Sequence, residues 1–141
     1  MVATPLKALA PTAKTNQLLL LLSEGVSDPI QEGACRRAKS LMEAHNVDAI
    51  VVDGMDPEQK DRRNELFAIS QIRGKYPQFF VVTEHKESET HNAGFVTEFL
   101  GDWEKIEALN ECNSLDKEVL DANPDIETFT MLLDIVKLKS D

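Results

Sequence analysis

The sequence predicts a single α/β domain built on a four-stranded mixed sheet flanked by helices. Three observations lead to this prediction: a wholly apolar run from Leu18 to Leu22, two helices that each begin with Asp-Pro, and a pair of later strands with too few residues between them for a helix. A wholly apolar strand is typical of one covered on both faces. Asp followed by Pro is typical of a helix start.

The first half of the domain follows the order strand, helix, strand. Leu18 to Leu22 predicts the first strand, and Val47 to Val52 predicts the second. Between them, Asp28 and Pro29 begin a helix. Apolar side chains recur along this helix at helical spacing and predict a buried face: Ile30, Ala34, Ala38, Leu41 and Met42. A crossover of this kind is right-handed, so the two strands should be parallel.

The second half predicts a helix, a hairpin and a last helix of the domain. Asp56 and Pro57 begin the second helix. Phe79 to Thr83 and Phe95 to Phe99 read as strands joined by a polar, acidic loop, so they should pair antiparallel. Asp102 then opens a third helix. The result is βαβ followed by ββα.

The chain divides into a flexible arm (1–16), the domain (17–120) and a tail (121–141). The tail predicts an amphipathic helix, because five apolar residues recur there at helical spacing: Ile126, Phe129, Leu132, Leu133 and Val136. Such a helix either packs back on its own domain or docks on a partner. The sequence leaves both alternatives open.

Charge and cysteine content narrow the function classes. The formal net charge is -10 at pH 7, from 25 acidic and 15 basic residues, which disfavours nucleic acid and anionic membrane as partners. No apolar run approaches the length of a membrane span. Cys35 and Cys112 form neither a disulfide framework nor a zinc motif. The sequence predicts a cytoplasmic protein without metal or cofactor, and leaves organelle targeting by the arm open.

Two segments carry a family resemblance. Residues 76–80 (YPQFF) resemble the segment around the cis-proline of glutaredoxins, and residues 100–104 (LGDWE) resemble the start of the last core helix in the SH3-domain-binding glutamic-acid-rich-like family. Those proteins are glutaredoxin relatives without the redox pair. The resemblance runs from about Leu18 to Leu120 and implies a thioredoxin-like fold of the glutaredoxin type.

The chain departs from this family in its binding motifs. Members bind SH3 domains through a proline-rich segment beside the cis-proline, but here only Pro77 is present and no PxxP occurs. An SH3 domain is therefore a doubtful partner. The glutamate-rich tail is also missing.

Cys35 is the one candidate redox thiol. Aligning the first helix with glutaredoxins places Cys35 at their second cysteine and Glu32 at the first, so the attacking thiol is absent. Cys35 also lies nearly two turns inside the helix, beyond the reach of the N-terminal dipole that would lower its pKa. It reads as a small core residue, with a regulatory or glutathionylated thiol as the alternative.

A groove beside the proline is the candidate binding site. A cis-proline in this fold leaves backbone groups free to pair with an extended peptide or with glutathione. Tyr76, Pro77, Gly101 and Asp102 would form its rim, although Pro77 could equally make a structural turn and Asp102 an ordinary N-cap.

The sequence as a whole predicts a non-catalytic protein interaction module, an adaptor or an accessory subunit. The alternative is a glutathione-linked monothiol redox protein or thiol sensor using Cys35.

Overall fold

The architecture comes from a computed structural model, which describes Leu6 and residues 16–25, 28–85 and 94–139. The described elements, in chain order, are β1 (Asn16–Leu22), α1 (Pro29–Ala44), β2 (Ile50–Asp53), a 3₁₀ turn (Pro57–Gln59), α2 (Lys60–Ser70), β3 (Gln78–His85), β4 (Gly94–Asp102), α3 (Trp103–Cys112), α4 (Lys117–Ala122) and α5 (Phe129–Ile135).

The four strands form one mixed sheet in the order β2-β1-β3-β4. β1 pairs parallel with β2 and antiparallel with β3, and β3 pairs antiparallel with β4. The predicted class, an α/β domain with a four-stranded mixed sheet flanked by helices, is confirmed at this level.

β1 is one of the two inner strands, and its leucines face both sides of the sheet. Leu18, Leu20 and Leu22 join a core with side chains of α1, α3 and α5. Leu19 and Leu21 pack on the opposite face with side chains of α2. Because successive side chains of a strand point to opposite faces, a leucine run is compatible only with a strand covered on both sides.

Both predicted Asp-Pro starts are capped by their aspartates. Asp28 Oδ1 accepts the Ile30 N–H at 2.9 Å and begins α1. Asp56 Oδ1 accepts the Glu58 N–H at 3.0 Å, but the residues that follow form the 3₁₀ turn, and α2 begins only at Lys60.

The buried face predicted for α1 is wrong at its first position. Ile30 is 79% exposed, whereas Ala34 and Ala38 are buried. Ile30 lies in the first turn of α1, two residues after the N-cap Asp28. Helical periodicity does not predict that this first turn lies outside the core.

The tail packs on its own domain. Phe129, Leu132 and Val136 are completely buried in the same core as β1. They are therefore not presented to a partner. The helix is shorter than the apolar spacing predicted, because Thr128 caps it, so that Ile126 precedes it and Val136 follows it.

Beyond α5 the chain is extended and forms hydrogen bonds with the start of β1. The Lys137 N–H donates to the Asn16 carbonyl at 2.9 Å, and the Lys137 carbonyl accepts the Asp48 N–H at 3.0 Å. The last described residues therefore bridge the start of β1 and the loop between α1 and β2.

Leu6 contradicts the prediction that the whole N-terminal stretch is a flexible arm. Its side chain is 3% exposed and belongs to the core. Its N–H donates to Glu127 Oε2 at 2.6 Å, and Lys105 Nζ contacts Glu127 Oε1 at the same distance. Residues 1–5 and 7–15 lie outside the described part of the chain.

Candidate functional site

One end of the sheet gathers the segments that the sequence analysis singled out. β3 begins and β4 ends there, because the antiparallel register pairs Gln78 with Asp102. The helices α1 and α3 also start at this end. The segment before β3 is fixed by Gln78, which is fully buried and whose Nε2 donates to the carbonyls of Ile72 and Lys75, at 2.7 Å and 3.0 Å.

A shallow cleft of about 200 Å³ lies between these segments, and we call it the helix-start cleft. The Tyr76–Pro77 peptide bond beside it is cis. The cleft is lined by Ile30, Gln31, Ala34, Lys75, Tyr76, Pro77, Asp102, Trp103 and Glu104. Three of the four expected rim residues, Tyr76, Pro77 and Asp102, are therefore brought together.

The fourth expected rim residue, Gly101, does not line the cleft. It is buried with φ of +155°, and a Cβ there would lie 2.7 Å from Lys105 Cβ. Its role is to let the backbone pass close to the first turn of α3.

Asp102 acts as the N-cap of α3. Its Oδ1 accepts the Lys105 N–H at 3.1 Å, so the ordinary capping role considered in the sequence analysis is present. The carboxylate still borders the helix-start cleft.

Gln31 occupies one of the backbone donors beside Pro77, the Tyr76 N–H. Its Oε1 accepts the Tyr76 N–H at 3.0 Å, while its Nε2 reaches the Asp28 carboxylate at 3.4 Å. A ligand that paired with the Tyr76 N–H, as an extended peptide or glutathione would, must first displace this side chain. Packing against side chains is therefore the more accessible mode of binding.

The open part of the cleft combines apolar and charged side chains, since Ile30, Lys75 and Glu104 are its exposed lining residues. Ile30 is 79% exposed beside half-buried Tyr76 and Trp103. Trp103 stacks on Phe79 with ring centroids 6.3 Å apart and an interplanar angle of 25°, which fixes its ring. Sequence reasoning missed Ile30 because it assigned that position to the core. The signal available was its place directly after the cap and Pro29.

The Tyr76 side chain is fixed by its contacts with Gly54 and Phe67. Its ring packs against Gly54, where a Cβ would clash with the Tyr76 hydroxyl, and lies 6.0 Å from the ring of Phe67. Burial raises the pKa of Tyr76, and the nearby Arg63 guanidinium partly offsets this effect. The phenol therefore stays protonated near neutral pH.

Cys35 lies in the core and does not line the helix-start cleft. It is 5% exposed, and burial raises the pKa of its thiol above the ordinary value, against the lowering effect of the Ser23 backbone N–H. The carboxylates of Glu24 and Asp53 raise it further. A protonated, buried thiol is a poor nucleophile. Cys112, at the end of α3, is half-buried and free.

Metal sites and membrane-spanning helices are absent from the described residues. Among them, no three His, Cys, Asp or Glu side chains are grouped closely enough to hold a metal ion. None of the helices in the described part of the chain has the length and apolar character needed to cross a bilayer.

Comparison of the chain with protein-family models, with curated proteins and with solved structures gives no match. The function must therefore be argued from the site itself.

Proposed function

We propose that the chain is a non-catalytic protein-binding module with a thioredoxin-like fold of the glutaredoxin type, and that the helix-start cleft receives a segment of a partner protein. The element order and the mixed sheet β2-β1-β3-β4 support the fold. Kinship with the SH3-domain-binding glutamic-acid-rich-like family rests on segments 76–80 and 100–104 and belongs to the same proposal.

The observation that carries the proposal is an exposed Ile30 in a concave site without a usable nucleophile. An isoleucine exposed by 79% beside two aromatic rings and a proline is an apolar patch suited to contact with another molecule. The nearest candidate thiol, Cys35, is buried and protonated. This combination supports binding of another protein without nucleophilic catalysis.

The alternative function is that of a glutathione-linked redox protein or thiol sensor that uses Cys35. It requires a reactive Cys35, whereas burial and the raised pKa of its thiol oppose reactivity. It stays a prediction, and the reactivity of Cys35 in the folded chain tests it directly.

The binding proposal is tested by changing Ile30 to Asp and measuring association with partners. An acidic residue in the first turn of a helix is favourable, so Ile30→Asp should fold normally while placing a charge on the apolar patch. Phe95→Asp is the matched control, since Phe95 is 71% exposed on the edge strand β4.

The expected result is that a protein captured from cell extract by the wild type, and shown to bind directly when purified, is lost with Ile30→Asp and kept with Phe95→Asp. Loss with Phe95→Asp alone would place binding elsewhere and contradict the proposal. Trp103, the single tryptophan of the chain, borders the cleft and gives a fluorescence signal for the purified pair.

A further inference from the structure

A second, larger cleft continues from the first along the space between α1 and α3. Its volume is about 460 Å³, and Trp103 borders both clefts. Leu41 lines its α1 side, and Glu107 and Glu111 line its α3 side. The two clefts together form one groove, which we call the α1/α3 groove.

The two walls of this groove differ in charge. On α1, Ile30, Ala34 and Leu41 stand at positions i, i+4 and i+11 and supply the apolar part of the lining. Gln31, Arg37 and Ser40 line the same side. On α3, Glu104, Glu107 and Glu111 stand at positions i, i+3 and i+7. Residues three, four and seven apart share one face of a helix, so the second wall is a row of carboxylates.

The row of carboxylates is not neutralised by its neighbours. All three glutamates are exposed, and none forms an ion pair with another described residue. Lys105, the cation on the same helix, is paired with Glu127 at 2.6 Å. Arg37 lies across the groove with its guanidinium 5.9 Å from the centre of the Trp103 ring. Lys75 lines the helix-start cleft together with Glu104. Two cations therefore border the groove beside the three glutamates.

The length of the groove sets the size of the occupant. Ile30 and Leu41 are eleven residues apart on α1, which corresponds to about 16 Å at the rise of an α-helix. An extended chain covers that distance with about five residues.

We infer that the α1/α3 groove takes a short basic segment of a partner protein, in which an apolar side chain contacts Ile30 and Trp103 and lysines or arginines face Glu104, Glu107 and Glu111. This inference rests on the proposed function and adds the chemical class of the partner. The surplus of acidic charge in the whole chain favours the encounter with such a segment.

The test is a selection of random peptides of about twelve residues, displayed on phage, against the wild-type chain after depletion on Ile30→Gln, which removes the apolar side chain without adding a charge. Selected peptides are synthesised with a fluorescein label, and their dissociation constants are measured by fluorescence anisotropy. Two triple variants are compared, each confirmed as folded by circular dichroism. The groove variant carries Glu104→Gln, Glu107→Gln and Glu111→Gln.

The control variant carries Glu43→Gln, Glu58→Gln and Asp61→Asn, three exposed acids away from the groove. Both variants change the net charge by the same amount, so they alter the long-range field alike. A contact role for the three glutamates predicts about tenfold weaker binding for the groove variant and less than about twofold for the control. It also predicts weaker binding at about 500 mM salt than at about 50 mM.

The outcomes separate the two proposals. Peptides that depend on Ile30 and are rich in lysine and arginine, with the expected difference between variants, support a basic partner. Peptides that depend on Ile30 but are neutral or acidic overturn the basic partner and leave the binding module standing. Equal weakening by both variants overturns the contact role of the glutamates. If no peptide depends on Ile30, the proposed function itself fails.

Discussion

Truncating the Phe129 side chain should lower the free energy of unfolding of this domain substantially, although the residue lies in the tail. Phe129 is completely buried in the core that contains β1, and its ring packs against His45 with centroids 4.8 Å apart. Truncating a buried phenylalanine to alanine costs about 3 to 5 kcal/mol. Domains of this size are stable by about 5 to 15 kcal/mol, so Phe129→Ala should remove a large fraction.

The assay is urea unfolding followed by Trp103 fluorescence and by circular dichroism. We expect Phe129→Ala to lower the free energy of unfolding by about 3 to 5 kcal/mol and the melting temperature by about 10 to 20 °C. Val119→Ala is the matched control, because Val119 is 40% exposed on α4. Its effect should stay within about 0.5 kcal/mol.

A loss below about 1 kcal/mol for Phe129→Ala, with an unchanged slope against urea, would refute this reasoning. It would mean that the tail is not held in the core and that its apolar face is available to a partner. The measurement therefore tests the packing of the tail on its own domain that the structure shows.

Four further predictions concern Cys35, Gln31 and Gly101. Cys35, isolated by Cys112→Ser, should react slowly with iodoacetamide at neutral pH in the folded chain and rapidly after unfolding; fast, glutathione-protected reaction of the folded chain would support the redox alternative. Because burial raises the pKa of the Cys35 thiol, the unfolded thiol loses its proton first, at about pH 8.5. Its contribution to stability is thus present below that pH and lost as the pH rises through the folded-state pKa, so wild type should lose stability with rising pH more steeply than Cys35→Ala. Gln31→Ala removes the acceptor of the partly buried Tyr76 N–H and should cost about 1 to 3 kcal/mol by urea unfolding; a cost below about 0.5 kcal/mol would contradict the role of that hydrogen bond. Gly101→Ala should cost about 1 to 3 kcal/mol, because of its positive φ and the contact with α3, and Gly94→Ala, which meets open space, should be close to neutral; a neutral Gly101→Ala would show that this backbone can adjust.

The elements with strong local signals could be predicted from the sequence. The apolar run at 18–22 indicated a strand covered on both faces, and Asp28 with Pro29 marked the first residue of α1, because both signals depend on neighbours in the chain. Boundaries were less accurate: β1 begins two residues earlier, at Asn16, and β2 begins three residues later than predicted, at Ile50. Strand ends depend on pairing across the sheet, which no local pattern contains.

The site was predicted in part. Tyr76, Pro77 and Asp102 lie together at the helix-start cleft because antiparallel pairing of β3 and β4 brings the start of one strand to the end of the other. Ile30 and the Gln31 contact to Tyr76 were not predicted. Both depend on how the first turn of α1 lies against the segment before β3, which is distant in the chain.

The sequence by itself determined the class of the fold, the acidic character of the chain and the absence of a redox cysteine pair, since composition and local spacing decide these properties. Only the tertiary structure decided that the tail completes the core, that Cys35 is buried and that residues of α1 and α3 line common clefts. The physical reason is that burial, pKa shifts and the pairing of charges arise between residues distant in the chain. Glu127, which contacts both Leu6 and Lys105, is one such case, because no local pattern marks its partners.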